Sequence, residues 1–318
     1  MPEMNKGQFS HWAIENVRSF MPEAYQKAEI DLYPVAKNGI VYTAMTVRLK
    51  DQTTVPAINL DEMFAAYEKG VPLAVIGARM AEISMTESPV YDTSLFNSYE
   101  TMKKNLFIRV CGVEGNKEML ERIPHKTIEN LAITFHIMVN NSEEGMSSAA
   151  ITNNIMDSLG LTPEQLYKDS LQNSPIILPA KVDSMINVLS GLTDIDMDSI
   201  DVHSQPQMVV VTNHSGINGA SALFYPGVMD QVGEQLHGSY FVLPSSIHEV
   251  IAIPTSLGSN YRELERMVHE INTMTVAPED RLSDNVYRYD TKTKVFELAS
   301  AQATRERVAR HKAREEAR

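Results

Sequence analysis

Residues 28–49 read AEIDLYPVAKNGIVYTAMTVRL, and this stretch decides the fold class. Two runs, 28–35 and 40–49, are rich in residue types that favour strands, and Asn38-Gly39 lies between them. Asn-Gly supplies the two positive φ angles of a type I′ turn, whose twist matches that of two antiparallel strands. The stretch therefore predicts a β-hairpin.

Helical patterns flank this hairpin. Apolar residues at helical spacing predict a first helix over 8–20. Asn59 stands three residues before Glu62, a capping-box pattern that predicts a helix over 60–69, and Pro72 favours the start of another helix. Helices beside a hairpin indicate an α+β fold, with antiparallel hairpins and packed helices.

Strand and helix patterns continue along the chain. Residues 131–139 alternate apolar and other side chains, which predicts a strand with one buried face. A helix is predicted to begin at Thr162. Further strands are predicted over 106–113, 208–212, 220–224, 240–243, 247–253, 286–289 and 294–298. Residues 137–160 align with 209–233, which suggests repeated strand-strand-helix units.

Four segments are predicted from these patterns. They are an N-terminal helix, hairpin and two-helix unit (1–90), a middle α+β unit (91–200), a C-terminal α+β unit (201–300) and a charged tail, helical or disordered (301–318). The acidic, proline-terminated stretch 190–207 is the predicted connection between the two α+β units.

The composition is that of a folded, acidic protein. Hydrophobic residues make up 43% of the 318 residues, enough for a sizeable core. The formal net charge of -13 disfavours general nucleic-acid binding, which depends on Lys and Arg displacing counterions. The single cysteine, Cys111, excludes an intramolecular disulfide, and neither a leader pattern nor an apolar run of about 18 residues is seen. We therefore expect a soluble cytoplasmic protein without a membrane segment.

The stretch FVLPSSIHEVIAIP, residues 241–254, holds the candidate catalytic residues. Ser245, Ser246, His248 and Glu249 fall within five residues, a combination that suggests hydrolysis. Neighbouring residues of an extended chain point to opposite faces, so a serine and a histidine this close seldom meet as nucleophile and base. The alternative interpretation is a tight turn between two core strands.

The segment NHSGING, residues 213–219, is the candidate ligand-binding loop. Asn213, Gly216 and Gly219 follow a predicted strand, where glycines can expose backbone N–H groups to an anion. Neither a P-loop nor a complete GxGxxG pattern is present, so a hairpin turn is the alternative. We expect His214 and His248 at neighbouring hairpin ends, which makes His214 a further catalytic candidate.

No metal or cofactor site is expected. Asp194, Asp196 and Asp198 alternate as at the start of a calcium loop, but Ser199 and Gln205 replace its glycine and glutamate. The histidines show no paired metal spacing.

The tail contrasts with the acidic remainder of the chain. From residue 301 it has six basic residues against three acidic ones, typical of a solvated helix or frayed end. The alternative is an arm that docks on an acidic partner or on nucleic acid. The basic residues are Arg305, Arg307, Arg310, Lys312, Arg314 and Arg318.

Three segments carry a resemblance to a known family: ENLAITFHIMVNN, ASALFYPGVMDQVGEQLHGSYFVLPSSIHEVIAIP and LSDNVYRYD. The chain resembles the bacterial domain-of-unknown-function family 5688 over nearly its whole length. The most specific block includes Tyr225, Pro226, Gly227 and the stretch 243–249. The resemblance draws attention to these residues, but it implies no activity, substrate or cofactor.

The absence of catalytic motifs, the exposable hairpin edges and the charged arm favour a non-enzymatic bacterial accessory protein that binds another macromolecule. The expected partner is an unidentified protein. The alternative is a small-molecule-binding or hydrolytic enzyme around the PSSIHE hairpin. Nucleic-acid binding is expected, if at all, only through the tail.

Overall fold

The computed structural model describes residues 4–52, 54–86, 93–142, 145–192, 207–258 and 260–316. The chain divides into two compact units, Met1–Asp92 and Thr93–Arg318. The division into four segments stays a prediction, and most of the predicted connection at 190–207 lies outside the described residues.

The first unit packs helices on an antiparallel sheet of order β1-β2-β3. Its elements are α1 (Lys6–Asn16), β1 (Glu29–Lys37), β2 (Ile40–Arg48), β3 (Ile58–Asn59), α2 (Leu60–Glu68) and α3 (Leu73–Met85). Phe9, Met63 and Met80, one from each helix, pack with Met45 of β2 in one core. The apolar spacing of the helices therefore corresponds to their buried sides.

The predicted hairpin and the helix start after it are confirmed. Asn38 and Gly39 have φ angles of 28° and 79°, the left-handed values that the turn requires. The Asn59 side chain accepts hydrogen bonds from the backbone N–H of Asp61 (3.0 Å) and of Glu62 (3.3 Å). These bonds satisfy two donors that the first turn of α2 would otherwise leave free.

The second unit contains two antiparallel sheets, which we call the middle and C-terminal sheets. The middle sheet has the order β4-β6-β5, with β7 also paired to β6. Its strands are β4 (Leu106–Gly112), β5 (His125–Ile128), β6 (Leu131–Ser142) and β7 (Gly145–Ala150). The C-terminal sheet has the order β13-β12-β10-β11-β9-β8. Its strands are β8 (Ala180–Ser184), β9 (Val209–Asn213), β10 (Tyr240–Leu243), β11 (Val250–Pro254), β12 (Tyr287–Asp290) and β13 (Val295–Leu298).

Helices cover these sheets. They are α4 (Tyr99–Lys103), α5 (Lys117–Leu120), α6 (Asn153–Ser158), α7 (Pro163–Ile177), α8 (Met185–Leu192), α9 (Val228–Gln235), α10 (Tyr261–Met274) and α11 (Ala299–Glu316). The tail is thus helical as far as Glu316. No helix within the described ranges is both long and apolar enough to cross a bilayer.

One hydrophobic core joins the two sheets of this unit. The predicted buried face of β6 is confirmed, because Leu131, Ile133, Phe135 and Ile137 are at most 1% exposed. They cluster with inward side chains of the C-terminal sheet such as Val211. The alternation along β6 therefore reflects one face on this core and a second face outside it.

Helix α7 closes the free edge of β4. The fully buried Ser174 hydroxyl accepts the backbone N–H of Ile108 (3.0 Å) and donates to the carbonyl of Ser170 (2.6 Å). An edge N–H buried without a partner would be costly, so this serine replaces a neighbouring strand.

Polar side chains also connect the two sheets. Asn130, in the turn between β5 and β6, accepts a hydrogen bond from the Tyr287 hydroxyl of β12. Its amide donates to Asn285 Oδ1 at 2.6 Å.

The strand predicted over 220–224 is wrong. Gly219–Phe224 is a 3-10 helix, and all six of its residues are buried. The apolar run that suggested a strand therefore reflects burial of the whole segment. A Cβ on Gly219 would overlap Thr212 and the backbone of His248, so only glycine allows this approach. Strand β9 pairs instead with β8 and β11, and the third predicted strand-strand-helix unit has a different order.

The patterns above do not predict α10, although its signals are present. Asn260 caps the helix by accepting the N–H of Arg262 (3.1 Å). Leu264, Val268 and Asn272 recur every four residues and are all buried. A search for a cap followed by this spacing would find the helix.

Candidate functional site

The NHSGING loop at the end of β9 is closed by its own side chains. The buried Asn213 amide donates to the carbonyl of Ile217 (2.9 Å), and its Oδ1 accepts the Ser215 hydroxyl (2.8 Å). The Ser215 hydroxyl in turn accepts the N–H of Ile217 (3.2 Å). Asn213 is only 1% exposed, so its polar atoms shape the loop and are not presented to solvent.

The PSSIHE segment, between β10 and β11, pairs with a later part of the chain. The N–H of Ile247 donates to the carbonyl of Asp280 (2.8 Å), and the N–H of Leu282 donates to the carbonyl of Ser245 (3.2 Å). Ser246 and Arg281 form an isolated antiparallel bridge. The predicted turn between two core strands is therefore held by backbone bonds to a third segment. We call residues 213–219, 244–249 and 280–283 the loop junction.

His248 connects the three parts of the loop junction. Its Nδ1 accepts the backbone N–H of Asn218 (3.3 Å), and its Nε2 lies 3.1 Å from Asp280 Oδ1. Its backbone carbonyl accepts the Thr212 hydroxyl (2.8 Å). Because Nδ1 accepts from an N–H, the neutral ring carries its proton on Nε2 and donates it to the carboxylate.

The serines of this segment do not pair with the imidazole. The Ser246 hydroxyl accepts the backbone N–H of His248 (3.0 Å), a local turn contact. Both ring nitrogens of His248 already have other partners, so neither is positioned to take a proton from Ser245 or Ser246. The loop junction therefore lacks the base-nucleophile contact of an assembled hydrolase in this conformation.

His214 and Glu249 point to solvent. Within the described residues, neither side chain makes a hydrogen bond or ion pair, and His214 is attached only through its N–H to the carbonyl of Pro179 (3.0 Å). The loops that carry His214 and His248 do adjoin, but no contact joins the two side chains.

The two glycine candidates have different structural roles. Gly216 has φ +67°, and a Cβ there would meet no atom within 4 Å. Gly219 has no such conformational need, but a Cβ there would lie 2.6 Å from the nitrogen of Asn213 and from the oxygen of His248. Gly216 therefore provides a turn, and Gly219 provides space for the approach of two loops.

Asp280 is the member of the loop junction that sequence reasoning does not find. It lies 32 residues beyond His248, at the end of the 3-10 turn Pro278–Asp280. The only local signal is a Pro-Glu-Asp turn, which does not name a partner.

The described residues contain no group of three or more His, Cys, Asp or Glu side chains that could hold a metal ion. The alternating aspartates 194, 196 and 198 lie outside these residues.

A polar cavity of about 340 Å³ lies where α10 begins beside α11. It is lined by Asn260, Tyr261, Arg262, Ala303, Thr304 and Arg307.

These features define an α+β protein whose candidate loops are fastened by their own polar groups. The chain belongs to a family of unknown function, DUF5688, whose model matches residues 7–291. The resemblance seen in the sequence is thereby confirmed. No curated protein and no solved structure matches the chain.

Proposed function

We propose that this chain is a non-enzymatic bacterial accessory protein of the cytoplasm that acts by binding a protein partner through helix α10. The observation that carries the proposal is an exposed apolar stripe on this helix. Met267, Ile271 and Met274 are 49%, 39% and 84% exposed. Their spacing of four and three residues places them on one side of the helix.

The stripe lies beside the buried side of α10. Leu264 and Val268 are at most 5% exposed and fix the helix on the C-terminal sheet, where they pack with Phe241 and Ile253. Met267 follows Leu264 by three residues, and Ile271 follows Val268 by the same number. The stripe therefore continues the apolar surface toward solvent. Methionine adapts its shape to different partners, which suits a recognition surface.

The border of the stripe is acidic. Glu263 and Glu270 are exposed and stand four residues before and three residues after Met267. The whole chain has a formal net charge of -13. An apolar stripe with this border is complementary to an amphipathic segment that carries Lys or Arg beside its apolar anchors.

Helix α10 is also held in one position before any partner binds. The Asn272 amide donates to Asp284 Oδ1 (2.6 Å) and to the carbonyl of Ser283 (3.1 Å). His269 Nδ1 lies 2.8 Å from Asp284 Oδ2. These contacts at the end of the stripe limit the entropy that would be lost on binding.

The cytoplasmic part of the proposal is supported by the single cysteine. Burial raises the pKa of the Cys111 thiol to about 12, so this thiol stays protonated and unreactive at neutral pH. A chain with no disulfide and one buried thiol suits a reducing compartment.

Site-specific crosslinking tests the proposed surface. A photoreactive residue at 271 should give an adduct in native lysate, and the crosslinked segment should be basic and amphipathic. Met267→Lys should lower the yield at least about tenfold, because it removes an apolar anchor and repels a basic partner. Thr273→Lys, on the exposed polar side of α10, is the matched control and should leave the yield unchanged.

Equal yields from Met267→Lys and Thr273→Lys would overturn this assignment, as would an acidic crosslinked segment. Adducts that disappear after nuclease treatment would point to nucleic acid. That reading rests on the tail helix, where Arg307 lines the polar cavity with Arg262.

The second candidate is a small-molecule-binding or hydrolytic enzyme at the loop junction. It is favoured by the meeting of His248 with Asp280 at the surface, where both side chains are about one-third exposed (33% and 38%). Catalysis there would require the Asn218 or Asp280 contact to open, since both ring nitrogens are engaged. Turnover of activated esters by the wild type, abolished in His248→Asn, would support this reading. No turnover above the buffer rate would count against it.

A further inference from the structure

The face of the middle sheet that points away from the main core carries a polar group of residues. Strand alternation sends Ile108 and Val110 into the core and Arg109 to the other face. Arg109 pairs in register with Thr134 of β6, and the next pair on this face is Phe107 with His136. All of these residues belong to the second unit.

The Arg109 side chain crosses the sheet without meeting an acid. Its terminal nitrogen donates to the Ser148 hydroxyl of β7 at 2.7 Å, and its guanidinium carbon lies 5.5 Å from the centre of the Phe107 ring. Among the described residues, its buried Nε has no hydrogen-bond partner and no carboxylate forms an ion pair with this side chain.

A largely buried guanidinium without an ion-pair partner, such as that of Arg109, is unusual in a protein. Burial disfavours the charged form and lowers the pKa of Arg109 to about 10, so the side chain is still charged at neutral pH. Buried charges in proteins are normally paired or bound to an ion. Phe107 supplies a favourable ring face, but it accepts none of the guanidinium N–H groups.

Further hydrogen-bonding groups surround this guanidinium. The Ser148 hydroxyl accepts from Arg109 and keeps its own proton available for donation. His136 lies beside Phe107, with 5.8 Å between the ring centres, and its Nε2 is 2.9 Å from Thr134 Oγ1. When Nε2 accepts the Thr134 hydroxyl proton, the neutral ring carries its own proton on Nδ1 and can donate it. In that tautomer, donors come from three different strands.

We infer that this face of the middle sheet holds an oxyanion site for a phosphate group, with Arg109 as its cation and Ser148 and His136 as further donors. Arginine presents N–H groups in a planar fork that matches oxyanions. A phosphate accepts hydrogen bonds in several directions, which suits donors from three strands better than the single plane of a carboxylate. The site is separate from helix α10 and from the loop junction.

Titration calorimetry of the full chain with inorganic phosphate tests this inference. Arg109→Met should weaken phosphate binding at least about tenfold, because each hydrogen bond to a charged group contributes about that factor or more. Ser148→Ala should weaken it by a smaller factor. Arg266→Met removes an exposed arginine of the same unit that forms no ion pair with any described residue, and it should bind phosphate like the wild type.

A stability measurement without phosphate distinguishes a ligand site from a structural arginine. Arg109→Met should unfold at the same or a higher temperature than the wild type, since it removes a largely buried charge that has no ion-pair partner among the described residues. With phosphate present, only the wild type and the Arg266→Met control should gain stability.

Arg109→Lys is the second variant, because it keeps the charge and removes the fork. It should bind phosphate more weakly than the wild type. The inference is overturned if Arg109→Met binds phosphate as well as the wild type, or if chloride at equal ionic strength stabilises the protein as much. Tighter binding of acetate than of phosphate would overturn the assignment to a phosphate group.

Discussion

Replacing Gly219 with alanine perturbs the closest contact of the loop junction. The added Cβ would overlap the Thr212 hydroxyl and would lie 2.6 Å from two backbone atoms, the nitrogen of Asn213 and the oxygen of His248. A side-chain tip can rotate away, but backbone atoms move only if the loops separate. The substitution therefore also strains the Thr212–His248 hydrogen bond of 2.8 Å.

The expected loss of stability combines two effects. Overpacking of a dense interior costs about 1–3 kcal/mol, and loss of one hydrogen bond adds about 1 kcal/mol. In a unit of this size, each kcal/mol of lost stability lowers the midpoint of thermal unfolding by about 2–4 °C. The midpoint, followed by circular dichroism, should therefore fall by about 4–16 °C.

Gly216→Ala is the matched control in the same loop. It meets no atom within 4 Å and is strained only by its φ of +67°, so we expect a loss of about 1 kcal/mol. Thr212→Ala should rescue Gly219→Ala only in part, because it relieves the side-chain overlap and leaves both backbone contacts. Equal midpoints for the two glycine variants would refute the close packing of these loops.

Three further predictions concern the second unit. Burial and the charge of Arg109 hold the pKa of His136 well below its ordinary value, so below about pH 6.5 the unfolded state binds the proton and the folded state does not. Stability should therefore fall between pH 7.5 and 5.5, and urea unfolding of His136→Gln should show a smaller fall. Ser174→Ala should cost about 1–3 kcal/mol by leaving a buried N–H unpaired, whereas Ser170→Ala, one turn away, should be neutral because its buried hydroxyl has no partner among the described residues. Tyr287→Phe, which removes a hydrogen bond between the two sheets, should lower the unfolding free energy by about 1 kcal/mol without changing the denaturant slope.

Local chemistry made part of the fold predictable. The Asn38-Gly39 turn and the Asn59 cap are local signals, since each acts on residues no more than a few positions away. The alternation along β6 was readable for the same reason. In contrast, 220–224 is apolar because it is buried on all sides, and periodicity cannot separate a buried strand from another buried segment.

For the candidate site, the sequence shows which residues lie close together along the chain, but not which side chains contact each other. The sequence places Ser246 two residues from His248, but the fold joins the serine hydroxyl to a backbone N–H and the imidazole to Asp280. The proposed role of Arg109 depends on which strand pairs with β4, and on the absence of a facing acid among the described residues. Such pairings across the sheet follow from tertiary structure, and one sequence does not supply them.

The strand order of the C-terminal sheet has a consequence during protein synthesis. Strand β10 lies between β11 and β12, and both of these follow it in the chain. At about 5–20 residues per second, a few seconds separate the synthesis of Leu243 from that of Asp290. Once β11 has been made, the nascent chain still has one unpaired edge of β10, built from the apolar residues YFVL, until β12 follows. Ribosome-bound chains of this length should therefore be the ones most prone to intermolecular strand pairing.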